Sequence, residues 1–337
     1  MFQIGENIVL KKTFNTASLK QEKVTVLSPA RLHLTALNPN KMIMEKLGGG
    51  GMGLALDFNN IISVEALPSS DNDIIYHSKT AVIKHCLIIM RKLFNSDIHF
   101  KVSVKFAENM QEHCGLASNS MLSNAVIYGV NCLFGNPLSK EDLIEILDNN
   151  FVEEKDGFLV RDICTGIAHS TCSLGGLCII SDNGKLIKKF DFPTNYKVFL
   201  IKTNKFNNLT NIKTQENIVD LLRKFDRNTF TKSYMILNEL IPALNKNNFD
   251  VLFKQNHIFQ HFDDYQNILN YYFINDLPTS KVLSNFENIP NSMSGLSTNA
   301  KFLYVISSDT KLIEKICIEN NLDFNIYSVN NNGVHII

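Results

Sequence analysis

At 337 residues the chain exceeds one ordinary hydrophobic core and matches two domains, and its 45% hydrophobic and 20% charged content is that of a folded globular protein. Lysine plus arginine equals aspartate plus glutamate at 33 each, so no global field draws the chain to nucleic acid or to an acidic membrane, and any anionic ligand must be caught locally. Seven scattered cysteines without a CxxC pair fit a reducing compartment. The absence of a signal-like amino terminus and of any apolar run of roughly 18 residues argues against secretion and membrane insertion and predicts a cytoplasmic protein.

In chain order, the first informative stretch is Pro29-Ala30-Arg31-Leu32-His33-Leu34, in which a guanidinium and an imidazole stand among apolar neighbours. Arg31 can donate two parallel hydrogen bonds to a carboxylate or phosphate, or sit on a solvated strand end. His33 can contact a ligand or be a hydrogen-bonded structural residue. The cluster Gly48–Gly51, with Gly53, either closes its backbone over a ligand, making Gly49, Gly50 and Gly51 substrate contacts, or forms a hairpin tip.

Strict alternation over Ile98–Phe106 predicts a half-buried strand, and apolar positions at three- and four-residue spacing predict an amphipathic helix over Ser118–Phe134. Between them lies Gly115-Leu116-Ala117-Ser118-Asn119-Ser120. Small residues there let the backbone approach an anion, and the unpaired amides and dipole of the following helix attract it. A plain Ser/Asn helix cap is the structural alternative. The stretch is neither GxxxxGK[ST] nor GxGxxG. Ser139-Lys140-Glu141-Asp142 predicts a capped second helix.

Further on come Asp162 and the run Thr165-Gly166-Ile167-Ala168-His169, where His169 is a candidate base near neutral pH. The break at Phe192-Pro193-Thr194-Asn195 divides the chain into domains 1–193 and 194–337. The second half predicts a strand over Tyr196–Lys202, helices over Glu216–Phe225 and Phe230–Leu244, a Gly/Ser loop, a strand over Lys301–Ser307, a helix over Leu312–Asn320 and a strand over Phe324–Val329, an α+β order. His257 and His261, four apart with Asp263 and Asp264 nearby, suggest either a metal pair or a surface helix. Cys114 and Cys164 read as small buried residues.

Three motifs in this order, Pro29–Leu34 leading to the glycine cluster, Gly115–Ser120 before a helix, and Ser292-Met293-Ser294-Gly295-Leu296-Ser297-Thr298 before a strand, resemble the GHMP kinase superfamily. Within it, Ala30-Arg31-Leu32-His33, Thr165–Ala168 running into Gly175-Gly176, and Leu240-Ile241-Pro242-Ala243-Leu244 are most similar to the β-ribofuranosylaminobenzene 5′-phosphate synthases, although their Gly-Gln-Ser-Ser-Trp pattern is missing here. The resemblance implies an α+β GHMP fold with a ribosomal-protein-S5-like amino-terminal domain and a ferredoxin-like carboxy-terminal one. It implies phosphoribosyl transfer from 5-phosphoribosyl 1-pyrophosphate to a benzoate, with loss of carbon dioxide and pyrophosphate. The alternatives are ATP-dependent phosphorylation of a small alcohol and a non-catalytic ligand-binding relative. Implied with it are phosphate binding by residues 115–120, magnesium held at Ser118 and Ser120, ATP if the chain is a kinase, substrate contacts from Gly166, Ser294, Gly295 and Ser297, and catalytic roles for Arg31, His33, Asp162 and His169. The partners so implied are small molecules: a phosphorylated sugar or nucleotide and an aromatic acid or alcohol acceptor. No nucleic acid or membrane is expected, and a homodimer is compatible with the superfamily.

Overall fold

The computed structural model describes residues 1–11, 13–14, 18–38, 41, 47–105, 115–155, 158–161, 164–202, 228–261, 285–286, 289–297 and 302–337. The expected helix over Glu216–Phe225, as well as Asp162, Cys114, Asp263, Asp264 and Thr298, lie outside them.

A seven-stranded sheet forms the first layer. β1 (Lys23–Ala36) and β2 (Gly51–Leu67) pair antiparallel along most of their length, and β4 (His99–Lys105) joins β2. β3 (Ile74–Tyr76) lies parallel to β4 at one edge. The short strand β7 (Leu177–Ile180) pairs with the glycine-rich start of β2, and β8 (Leu186–Phe190) pairs with β7. A separate hairpin joins β5 (Val152–Lys155) to β6 (Phe158–Arg161). Helices α1 (Thr80–Phe94), α2 (Ser118–Leu133) and α3 (Lys140–Asn149) cover Val24, Val26, Ile62 and Val64 of the sheet. α3 starts where a capping box predicts it: the Ser139 hydroxyl accepts from the Asp142 amide, and Asp142 accepts from the Ser139 amide. α2 passes so close to the strands that a methyl group on Gly129 would lie 2.8 Å from Val64.

The second layer is an antiparallel sheet of β9 (Lys197–Lys202), β10 (Ser292–Leu296), β11 (Phe302–Ser307) and β12 (Phe324–Tyr327), in the order β10-β11-β9-β12. The stretch expected as a Gly/Ser loop is thus largely an edge strand. Its Ser-Met-Ser-Gly alternation buries Met293, and β11 supplies the pairing partners that local composition does not reveal. β11 is buried throughout because both faces are covered: Phe302, Tyr304 and Ile306 point one way, Leu303 and Val305 the other.

The helical run expected over Phe230–Leu244 divides into α5 (Thr229–Met235), a π-helical turn over Ile236–Leu240, and α6 (Ile241–Leu244). Pro242 accounts for the widened turn, because it has no N–H to donate and its ring crowds the carbonyl four residues back. α7 (Asp250–His261) follows. Leu32, Leu34, Leu54 and Leu56 of the first sheet share one core with Leu240, Leu252 and Phe253 of these helices and Leu200 and Tyr304 of the second sheet. Each such side chain fully buried contributes roughly 1.5–3 kcal/mol, so the two layers are joined by apolar packing. α8 (Thr310–Glu319) closes the far face of the second sheet, with Asp309 capping it. The chain then returns to the first sheet, where β13 (His335–Ile336) pairs with β1.

Candidate active site

Alternation along β1 sends Leu32 and Leu34 into the shared core and leaves Arg31 and His33 together on the other face. Across the ladder His33 faces Gly53. A methyl group at Gly53 would meet Thr171 Oγ1 at 2.5 Å, Ile167 at 2.6 Å and Arg31 Cγ at 3.2 Å. Glycine there lets the helix α4 (Ile167–Leu174) lie directly over the Arg31 stem.

The Arg31 amide donates to the carbonyl of Leu116 at 3.2 Å, which ties the 115–120 loop to the strand carrying Arg31. Ala117, with φ of 63°, turns the chain through the left-handed region into α2, and no side chain caps that helix. Ser118 is half-buried, and Ser120 and Asn119 are buried. Asn119 is held from both sides: its carbonyl oxygen accepts from Lys79 Nζ, and its amide donates to Glu153 Oε1 at 3.2 Å. A cation and a carboxylate therefore stand at the loop, brought by α1 and by the β5–β6 hairpin.

Burial lowers the Arg31 pKa to about 10, which leaves the guanidinium charged at neutral pH. Burial also depresses His33 to about 3, reinforced by the positive charges of Arg31 and of Lys232, a buried lysine on α5. His33 is therefore neutral near pH 7 and does not serve as a cation. Lys232, Lys79 and Glu153 escaped the sequence reading because only tertiary packing brings them to β1 and to the loop.

The other expected site residues lie in different surroundings. His169 is buried in α4; its Nδ1 lies 2.7 Å from Asp148 Oδ1, and its ring packs edge-on against Phe151. The glycine cluster is buried rather than an exposed tip. Gly48 and Gly49 donate to the carbonyls of Cys164 and Asp182, and a methyl group on Gly50 would lie 2.1 Å from the Ser181 carbonyl oxygen. Gly166 has a φ of 77° and opens α4 against Gly184. Ser294 accepts from Asn256 through its carbonyl, Gly295 pairs with Tyr304, and Ser297 pairs with Phe302. His257 is exposed on α7. None of the six described cysteines forms a disulfide. No helix among the described residues is long and apolar enough to cross a membrane.

A mixed α+β arrangement with a glycine- and serine-bearing turn feeding a helix over the sheet is the fold of the GHMP kinases. The model of the GHMP kinases N terminal domain matches residues 81–159, which include the loop, α2 and Glu153. Among curated proteins, the chain is similar to 4-diphosphocytidyl-2-C-methyl-D-erythritol kinase of Prochlorococcus marinus, 25% identical over 238 residues, covering 68% of this chain and 67% of the relative. Among solved structures it is similar to homoserine kinase from Cytophaga hutchinsonii, with a TM-score of 0.63, 14% identity and coverage of 95% and 99% of the two chains. It is also similar to mevalonate-3-kinase from Thermoplasma acidophilum, determined with mevalonate 3-phosphate and ADP bound, with a TM-score of 0.66, 14% identity and coverage of 95% and 99%. These likenesses show the GHMP kinase fold and support the superfamily; they do not support the specific phosphoribosyl synthase.

Proposed function

We propose that the chain is an ATP-dependent kinase of a small alcohol that carries a carboxylate or phosphate. The observation that carries this reading is the uncapped start of α2, held against Arg31 by the bond between the Arg31 amide and the Leu116 carbonyl. Unpaired amides at a helix start, with the dipole behind them, suit the phosphates of a nucleotide. Arg31 and Lys232, both acting on His33, offer a second positive locus for the anionic acceptor. Phosphoryl transfer depends chiefly on positioning and charge neutralisation, so it does not need the carboxylate base that Gly166-Ile167-Ala168-His169 lacks. The two domains of this reading are residues 1–193 and 194–337, the latter sending β13 back to the first sheet.

The oxygen-only set of Ser118, Ser120 and Glu153 fits magnesium, which favours a carboxylate together with substrate phosphates. When bound there, magnesium would neutralise charge on the transferring phosphoryl group. Glu153 is already oriented toward the loop through Asn119.

The named kinases among the relatives favour this reading over phosphoribosyl transfer. The test offers ATP with magnesium and a panel of phosphorylated or carboxylated alcohols, and separately 5-phosphoribosyl 1-pyrophosphate with benzoates. The expected product is ADP in an acceptor-dependent reaction, reduced about 100-fold or more by Arg31→Ala. Release of carbon dioxide and pyrophosphate from the second mixture, or consumption of neither donor, overturns the proposal.

A further inference from the structure

Away from the loop, three chemically different ligand groups converge in the interior. Asp148 lies at the end of α3, His169 in the first turn of α4, and Cys164 in the segment that leads into α4. All three are buried, and one ligand atom from each lies within 4.8 Å of the other two. Asp148 Oδ1 is 2.7 Å from His169 Nδ1 and 3.3 Å from Cys164 Sγ, while Sγ and Nδ1 are 4.0 Å apart.

We propose that Asp148, Cys164 and His169 form a binding site for a divalent transition metal of the zinc type, separate from the nucleotide site proposed above. A tetrahedral zinc ion with one sulfur, one nitrogen and one oxygen ligand needs ligand–ligand edges of about 3.4–3.6 Å. The observed edges of 2.7, 3.3 and 4.0 Å bracket that range, and completing the triangle opens the Asp148–His169 edge by about 0.7 Å and closes the Cys164–His169 edge by about 0.5 Å. The mixed sulfur, imidazole and carboxylate set selects zinc or cobalt over magnesium or calcium.

Charge balance points the same way. Moving ions into the interior is costly unless they are paired. A thiolate, a carboxylate and a neutral imidazole together cancel the two charges of a divalent cation. Without metal, Cys164 Sγ donates to Asp148 Oδ1 and His169 Nδ1 lies against the same oxygen. Coordination through Sγ and Nδ1 takes the thiolate and the neutral imidazole protonated at Nε2, and the thiol proton leaves to solvent. One proton is released for each ion bound. The Cys164 carbonyl accepts from the Gly48 amide at 2.9 Å, so the ion would fix the end of α3, the start of α4 and the entry to β2 as one clip.

The experiment uses the full chain, stripped with a chelator and titrated with Co²⁺ alone. Saturation at one ion per chain is expected, with visible ligand-field bands, a near-ultraviolet sulfur-to-cobalt charge-transfer band, and displacement of both by Zn²⁺. Cys164→Ser should abolish the charge-transfer band, and His169→Gln should weaken cobalt binding at least tenfold. X-ray absorption at the zinc edge of the unsubstituted protein, showing one sulfur among nitrogen and oxygen neighbours, tests the site even if a variant fails to fold. No cobalt spectrum, a charge-transfer band that survives Cys164→Ser, or a zinc shell without sulfur overturns the proposal and leaves the three residues as a hydrogen-bonded core cluster. Because each readout is metal binding, failure here is distinguishable from failure of the kinase assay.

Discussion

Gly53→Ala tests the contact that sets α4 over the Arg31 strand. The added methyl would stand 2.5 Å from Thr171 Oγ1 and 2.6 Å from Ile167, both fully buried β-branched residues of α4. Neither is the far end of a flexible side chain, and non-bonded carbon contacts settle near 3.5–4.0 Å, so helix and strand must separate by about 1 Å. Overpacking of this kind costs about 1–3 kcal/mol, which corresponds to a melting temperature lower by roughly 2–4 °C for each kcal/mol. Gly48→Ala is the internal control, since its methyl would meet only the Asp182 carbonyl oxygen and Lys41 at 3.1 Å or more. Thermal melts of the three proteins, with circular dichroism confirming an unchanged fold, compare the costs. An unchanged melting temperature for Gly53→Ala, or a larger loss for Gly48→Ala, refutes the packing argument.

Stability should fall on acidification. The folded pKa of about 3 for His33 and about 4 for His85 both lie below the ordinary 6.5, so the unfolded chain binds more protons between these limits. Their contribution is complete above pH 6.5 and is lost as the pH drops toward 4 and 3; for His33 its ceiling is about 5 kcal/mol. His33→Asn should flatten the acid limb of a urea-midpoint against pH curve, and a parallel limb would count against the burial of that ring. Ser139→Ala removes the α3 cap and should cost about 1 kcal/mol by urea unfolding; a neutral result would show that the capping box is energetically silent. Asp73→Ala leaves Arg91, otherwise bonded at 2.8 and 2.9 Å, and the Phe100 amide without their shared carboxylate. The expected loss is about 3 kcal/mol or more, and a loss under about 1 kcal/mol would mean that water replaces the carboxylate.

Elements governed by local rules were readable from the chain. The strand at 99–105, the helix at 118–133 and the Ser139 start depend on alternation, spacing and a cap within a few residues. β2 was hidden because its glycines and the Asn59-Asn60 pair interrupt any alternating pattern, although seventeen residues form the strand. α1 does carry an apolar face at helical spacing, with Lys84, Arg91 and Lys92 on the less buried side, but no capping side chain or first-turn acid marks its start. The edge strand β10 reads as a loop until β11 is beside it. At the candidate site, the loop and Arg31 announce themselves by residue type, but nothing local says that Lys232 acts on His33 or that Glu153 reaches Asn119. Likewise, no short spacing connects Asp148 to His169, which the packing of α3 against α4 brings together.

The pairing of Val26 and Leu27 in β1 with Ile336 and His335 in β13 has a kinetic consequence. β1 gains this edge partner only after the whole second layer has been synthesised. Such a non-local pairing slows folding. During synthesis that edge of β1 would expose unpaired amides and carbonyls, which is the kind of surface on which chains associate wrongly.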